Sequence, residues 1–96
     1  MDGTYPAGIK PLAYEQVTVS TAVKTLTVPK GAVRAIFGVE GQSVRYRLDG
    51  TDPSASVGIL AKADKTFEIY GNAALKALKA IRVDGSDSVL SVQYFG

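Results

Sequence analysis

The hexapeptide SVRYRL at Ser43–Leu48 decides the fold class of this chain, because apolar and polar side chains alternate along its whole length. Successive side chains of a β-strand point to opposite faces of the sheet. Val44, Tyr46 and Leu48 therefore share one face, and the polar residues between them share the other. One buried face and one solvated face are typical of antiparallel sheets, so the segment predicts a strand of such a sheet.

Similar segments flank this strand over most of the chain. The sequence VPKG at Val28–Gly31 is typical of a β-turn, since proline presets φ at its second position and glycine suits its fourth. A second turn, at Asp84–Asp87, is expected to join the last two strands into a hairpin. The remaining strands are predicted at Tyr14–Ser20, Val23–Val28, Ala32–Glu40, Val57–Leu60, Thr66–Tyr70, Ala80–Asp84 and Ser88–Phe95.

One short helix is predicted near residues 72–78, where alanine, leucine and lysine are good helix formers and Asn72 can cap the first turn. Seven to eight short strands with frequent turn signals predict an all-β protein, built as an antiparallel β-sandwich that is either Ig-like or jelly-roll-like. A chain of 96 residues suits one domain. We expect this domain to span residues 14–96.

Residues 1–13 are expected to form an extended N-terminal arm, because Pro6, Gly8 and Pro11 interrupt any regular pattern. Fully extended, such a segment spans about 40 Å. Two interpretations stay open: a frayed terminus, or an arm that docks on a neighbouring subunit. Met1–Leu12 lacks the apolar core of a signal peptide, which predicts no Sec-type export.

The composition argues against catalysis. The chain contains no cysteine and no histidine, which excludes disulfides, thiolate chemistry, zinc sites built on these residues and imidazole acid–base chemistry. A serine nucleophile needs an activating base, and no Ser-x-x-Lys pair occurs. We therefore expect neither an enzyme nor a cofactor.

The charge pattern argues against two classes of partner. The 11 basic and 9 acidic side chains give a net charge of +2 and are mixed along the chain, unlike the charge runs of nucleic-acid binders. No apolar stretch approaches the roughly 20 residues of a membrane span. Direct binding to nucleic acid and association with a membrane are therefore not expected.

The loop Asp49-Gly-Thr-Asp-Pro53 is the most distinctive stretch. Asp49, Asp52 and the hydroxyl of Thr51 are hard oxygen ligands, which makes the two carboxylates candidates for a calcium site. The loop lacks the spacing and the final glutamate of an EF-hand. The alternative is turn chemistry, in which the same side chains satisfy backbone N–H groups.

Basic side chains supply a further candidate surface. They are expected either to form a patch for an acidic partner or to be solvated and paired across strands with Glu40 or Glu68. Four arginines are expected on outward strand faces: Arg34, Arg45, Arg47 and Arg82.

Three segments carry a resemblance. Tyr46–Gly58 reads YRLDGTDPSASVG, and Ile81–Val83 and Val89–Tyr94 read IRV and VLSVQY. They resemble small structural proteins encoded in tailed-bacteriophage genomes, which carry a strand-borne Tyr-Arg, an Asp-Gly-Thr-x-Pro turn and an Arg-Val…Val-Leu-x-Val-x-Tyr ending. The resemblance covers roughly residues 14–95 and implies a virion role without catalytic residues. The Asp-Gly-Thr-Asp-Pro segment alone also resembles Ig-like modules appended to chitobiase-type glycosidases.

This resemblance implies a virion role without specifying which one. We expect a non-enzymatic virion structural protein made in the cytoplasm of the host bacterium, above all a capsid decoration or cement protein that stabilises the head. A neck, tail or fibre-adaptor component and an Ig-like carbohydrate-binding module are the alternatives. The expected partners are the major capsid protein or neck and tail proteins, together with further copies of this chain. The expected interface residues are Tyr5, Ile9, Lys10, Leu12, Arg45 and Arg47.

Overall fold

The computed structural model describes residues 9–96. The prediction of an all-β protein with one short helix is confirmed. β2 is shorter than the predicted strand Val23–Val28, although Leu26 and Val28 still pack against the core. The elements are β1 Pro11–Val19, β2 Lys24–Thr25, β3 Arg34–Glu40, β4 Val44–Arg47, β5 Ile59–Ala61, β6 Thr66–Tyr70, α1 Asn72–Ala77, β7 Lys79–Arg82 and β8 Ser88–Phe95.

The strands form two four-stranded antiparallel sheets. Sheet A has the order β1-β8-β3-β6, and sheet B has the order β2-β7-β4-β5. Pairing runs from the ends of the chain inwards, β1 with β8, β2 with β7, β3 with β6 and β4 with β5, as in one long hairpin folded over on itself. The pairs β3·β8 and β4·β7 complete the two sheets. This connectivity is that of an eight-stranded jelly roll, so the jelly-roll alternative holds and the Ig-like one does not.

The predicted hairpin of the last two strands is wrong, because β7 and β8 lie in different sheets. The chain crosses between the sheets after β7, in a turn closed by an ion pair between Arg82 and Asp87 at 2.6 Å. It also crosses between β3 and β4, where Gly41 has a φ of 88° that favours glycine. The buried hydroxyl of Ser88 joins the two crossings by bonding to backbone carbonyl oxygens on either side of Gly41.

The core lies between the inner faces of the two sheets. An aromatic stack bridges them, since the ring of Phe67 lies between those of Phe37 and Tyr46 at centroid distances of 4.7 and 4.9 Å. The alternation predicted for residues 43–48 is confirmed, because Val44 and Tyr46 are buried and the arginines between them are half-buried. The other large buried side chains are Val19, Val39, Ile69, Leu75, Leu78, Leu90, Val92 and Tyr94.

Helix α1 connects the two sheets between β6 and β7. The prediction that Asn72 caps this helix is wrong, because Gly71 occupies the cap position and no side-chain cap hydrogen bond forms. The amide of Asn72 instead donates to the carbonyl oxygen of Ala32 at 2.8 Å. This bond ties the start of the helix to the segment before β3, and Leu75 is buried in the core.

The sandwich begins earlier than the sequence predicts. β1 starts at Pro11, so residues 11–13 of the predicted arm belong to sheet A. Two backbone hydrogen bonds between Lys10 and Gly96, at 3.1 and 2.8 Å, continue the β1–β8 ladder beyond Pro11. The first part of the predicted arm, residues 1–8, lies outside the described residues.

Candidate docking surfaces

The predicted interface residues Ile9, Lys10 and Leu12 lie together at the start of β1, an outer strand of sheet A. All three are exposed, Ile9 by 48%. Tyr5, predicted with them, lies outside the described residues. Tyr14 is 56% exposed and continues the row along the strand. We use the term β1 edge for the exposed residues Ile9, Leu12, Tyr14, Gln16 and Thr18.

The start of the β1 edge is fixed by a bulge and a close backbone approach. The register of β1 against β8 shifts between Pro11 and Tyr14, as at a β-bulge. The Cδ1 atom of Leu12 lies 2.8 Å from the position that a Cβ on Gly96 would take, and the carbonyl oxygen of Gly31 lies 2.5 Å from it. Because residue 96 has no side chain, Leu12 can lie over the end of sheet A.

Glu15 is the acidic residue of β1, and it points inward instead of along the β1 edge. Its carboxylate accepts a hydrogen bond from the buried hydroxyl of Tyr94, and a second from the N–H of Thr27 at 2.9 Å. Burial and the bond to Glu15 raise the pKa of Tyr94 above its ordinary value. The outward side chains of the strand, Tyr14 and its neighbours along the β1 edge, are uncharged.

Arg45 and Arg47 lie on β4 in sheet B, so the structure does not bring these predicted interface residues together with the β1 edge. Arg45 donates to the carbonyl oxygens of Ala55 at 3.1 Å and Gly58 at 2.9 Å. Its guanidinium therefore fastens the β4–β5 loop to β4. Arg47 binds both carboxylate oxygens of Asp49, at 3.1 and 2.5 Å, as a bidentate pair.

The other two arginines also have local partners. Arg34 lies on the outer face of sheet A, 3.5 Å from the carboxylate of Glu68 and 4.1 Å above the ring of Phe95. The predicted cross-strand pair with Glu68 is thus present. The outward placement predicted for Arg82 is wrong, because Arg82 pairs with the buried Val44 and so belongs to the inner face at the end of β7. The four arginines do not form one patch.

The two candidate calcium ligands, Asp49 and Asp52, each pair with a different basic side chain. Asp49 pairs with Arg47, whereas a carboxylate oxygen of Asp52 lies 3.0 Å from the Nζ of Lys79. Asp49 also accepts the N–H of Thr51 at 3.2 Å, as in an Asx turn. The bonds from Arg47 and Thr51 lower the pKa of Asp49 to about 2. Within the described part of the chain no cluster of three or more acidic, histidine or cysteine residues is placed to hold a metal ion, and the contacts are those of turn chemistry.

A cleft of about 270 Å³ opens between the outer strands β5 and β6, on the side of the sandwich opposite β1. Tyr46 and Phe67, two rings of the aromatic stack, form part of its lining. Leu60 lines it from β5, and Lys62 and Lys65 add positive charge from the turn that joins β5 to β6. We call this site the aromatic cleft.

Backbone hydrogen bonds hold the turn of the aromatic cleft in place. The N–H of Val39 donates to the carbonyl oxygen of Lys65 at 3.0 Å, and the N–H of Asp64 donates to the carbonyl oxygen of Val39 at 2.8 Å. Asp64 has a φ of 65°, a left-handed conformation that aspartate tolerates better than most residues. The end of β3 therefore positions Lys62 and Lys65 at the cleft.

The outer strand beside the cleft carries apolar side chains that no sequence signal marked as a site. On β5, Ile59 is 52% exposed and Leu60 is 41% exposed, and Val57, in the loop before β5, is also 52% exposed. The N–H of Val83 donates to the carbonyl oxygen of Ser43, so by the alternation of an antiparallel ladder Val44 and Tyr46 direct their backbone groups to β5. The N–H and C=O of Leu60 consequently point away from β4. The sequence predicted a strand at Val57–Leu60. Its lack of polar side chains was the signal that could have marked it as a docking site.

Comparison of the chain with protein-family models, curated proteins and solved structures gave no match. Among the described residues, no helix is long and apolar enough to cross a bilayer.

Proposed function

We propose that this chain is a non-enzymatic structural protein of a tailed-bacteriophage virion, and that it acts as a decoration or cement protein on the capsid. The observation that carries the proposal is the β1 edge. It presents an outer strand of nine residues with exposed apolar side chains at its start, including Leu12 and Tyr14. Such an edge offers both backbone groups and apolar area to a second protein.

The β1 edge is suited to pairing because its middle is not blocked. Natural edge strands are protected by charges, especially lysine, by proline and by bulges. In β1 lysine, proline and the bulge are confined to the start, where Lys10 and Pro11 lie beside the bulge, and the charge farther along, Glu15, points inward to Tyr94. Beyond Tyr14 the register with β8 is regular to Val19, and Gln16 and Thr18 are exposed and uncharged.

The fold and the resemblance support the same role. Jelly rolls with two four-stranded sheets serve in viral capsids as well as in lectins and enzymes, so the fold alone does not select a function. The resemblance of Tyr46–Gly58 and of the Val89–Tyr94 ending to phage structural proteins supports a virion role among these. A domain of this size is only modestly stable, and binding to a particle stabilises it by mass action.

A different position on the same virion is the nearest alternative. A neck, tail or fibre-adaptor protein has the same need for an exposed edge, but it is present in far fewer copies than a protein of the capsid lattice. Copy number relative to the major capsid protein therefore separates these two positions.

A carbohydrate-binding module is a second candidate, and one observation favours it. Tyr14 and Tyr70, exposed by 56% and 69%, lie on the outer face of sheet A at its two margins, with Gln93 between them. Exposed aromatic rings and amides are the groups that bind sugars. Calorimetric titration with glycans of bacterial surfaces tests this candidate: saturable binding that is lost in Tyr14→Ala and Tyr70→Ala favours it over the capsid role.

Binding to heads tests the proposed function directly. The full chain is mixed with heads assembled from the major capsid protein of the phage that encodes it, and the bound fraction is measured by co-sedimentation. Tyr14→Lys and Thr18→Lys place lysine on the β1 edge, which should block strand pairing and reduce binding at least tenfold.

Tyr70→Lys is the matched control, because Tyr70 is as exposed as Tyr14 but lies on the other outer strand of sheet A. Circular dichroism confirms that all variants are folded. Binding that survives both lysine substitutions on β1, or that is lost equally in Tyr70→Lys, contradicts the assignment of the β1 edge.

A further inference from the structure

We propose that the aromatic cleft binds residues 1–8 of a second copy of this chain, with Tyr5 of that copy at the rings of Phe67 and Tyr46. This inference goes beyond a role on the capsid, because it concerns how copies of the chain join one another. It also assigns a partner to a site that sequence analysis did not identify.

The chemistry of the cleft matches that segment. Phe67 and Tyr46 offer stacked aromatic surface, and Leu60 and Ile59 extend it along β5. In residues 1–8, MDGTYPAG, Tyr5 is the sole aromatic side chain and Asp2 the sole charged one. Aromatic rings gain from contact with other rings beyond the area they bury.

The charges are complementary as well. Lys62 and Lys65 line the cleft, while the exposed Asp64 of the same turn does not, so the turn keeps a net positive charge. Asp2 lies three residues before Tyr5, a span of about 10 Å when extended. Its carboxylate can therefore reach the lysines while Tyr5 occupies the aromatic part. The outward N–H and C=O of Leu60 allow the segment to pair with β5 as an added strand.

The segment cannot reach the cleft of its own chain. Lys10 pairs with Gly96, and Val33 and Gly71 continue that row of paired residues across sheet A. Gly71, at the far end of the row, and Thr66, at the cleft, are five residues apart along the strand direction. Ile9 lies one residue beyond that row, so three strand spacings of about 4.8 Å and six residues at about 3.4 Å place the cleft about 25 Å from Ile9. Tyr5 lies four residues before Ile9, and four fully extended residues span at most about 14 Å. A second copy must therefore supply it.

The contact is head-to-tail, because the start of β1 and the aromatic cleft lie at diagonally opposite corners of sheet A. A heterologous contact of this kind forms a closed ring when its rotation closes and a filament when it does not. We therefore expect the chain to form either a ring with a defined number of copies or a filament in solution.

Cross-linking between two single-cysteine chains tests the inference without any particle. The chain has no cysteine of its own, so an introduced pair is unambiguous. An isotopically heavy full chain with Thr4→Cys, which keeps Tyr5, is mixed with a light chain carrying Leu60→Cys, and mixed disulfides are counted by mass spectrometry. We expect at least a fivefold excess over the control light chain Ser86→Cys, whose cysteine lies in an exposed turn away from the cleft. Thr66→Cys, on the other wall of the cleft, repeats the test if Leu60→Cys fails to fold.

A charge exchange gives a second readout. Asp2→Lys and Lys65→Glu should each lower the fraction of oligomer measured by light scattering, and the double variant should restore it. Cross-linking no higher than with Ser86→Cys, or a disulfide formed within one chain that carries both cysteines, overturns the inference. Failure of head binding with intact cross-linking overturns the proposed function instead.

Discussion

Replacing Tyr94 by phenylalanine removes one hydroxyl from a fully buried position and keeps the ring. That hydroxyl donates to the carboxylate of Glu15, and a hydrogen bond to a charged group contributes about 1.5–3 kcal/mol. Glu15 is half-buried and keeps the N–H of Thr27 as a donor, so the lower end of that range applies. We expect Tyr94→Phe to lower the free energy of unfolding by about 1.5 kcal/mol at pH 7.

The size of this loss depends on pH, in the direction set by the raised pKa of Tyr94. In the unfolded chain the hydroxyl ionises near its ordinary pKa of about 10, whereas the fold keeps it protonated to higher pH. Unfolding of the wild type then releases a proton. Above about pH 10 its free energy of unfolding falls by about 1.4 kcal/mol per pH unit relative to Tyr94→Phe, so the difference should vanish near pH 11.

Urea unfolding followed by far-ultraviolet circular dichroism, repeated between neutral pH and about pH 11, measures both proteins. The lysines and the other tyrosines titrate in both chains and cancel in the difference. A difference that stays constant over this range would refute the reasoning, because it would mean that the Tyr94 hydroxyl ionises equally in the folded and unfolded chains.

Three further predictions follow from side-chain contacts. Arg45→Gln should destabilise the fold by about 1 kcal/mol and speed proteolysis of the β4–β5 loop, whereas Arg47→Gln, at an exposed ion pair, should cost less stability; urea titration compares them. Ser88→Ala should cost about 1 kcal/mol, because the buried hydroxyl of Ser88 no longer donates to the β3–β4 crossing, while the exposed hydroxyl bond of Ser91 makes Ser91→Ala a control within about 0.5 kcal/mol. EDTA should leave the melting temperature unchanged, since Arg47 already neutralises Asp49; a rise in melting temperature on adding calcium would reinstate the calcium site.

Local alternation was enough to predict most strands, because it reports which side chains are buried. Thr66–Tyr70 and Ser88–Phe95 have the bounds that the sequence predicts. Strand partners were not predictable in the same way. The turn before Ser88 has the composition of a hairpin turn, but the chain changes sheets there. That outcome depends on the bonds of Ser88 to the β3–β4 crossing, which are distant in sequence.

The candidate sites show the same difference between features that local sequence predicts and features that depend on contacts distant in sequence. The start of the β1 edge was predictable, because Ile9 and Leu12 lie in an irregular segment where exposure is expected. Arg45 was expected at an interface from its outward position, but its partners are backbone carbonyl groups that no side-chain pattern reports. The aromatic cleft was missed because Tyr46 and Phe67 belong to different sheets and meet only when the sheets pack.

We propose that this chain is a virion structural protein of the capsid, and counting its copies in virions tests that proposal. Quantitative mass spectrometry of purified particles of the phage whose genome carries the sequence measures this chain against the major capsid protein. A capsid decoration protein should be present in a number comparable to that of the major capsid protein. A number far below it would move the chain to the neck or tail, and its absence from the particle would contradict the virion role.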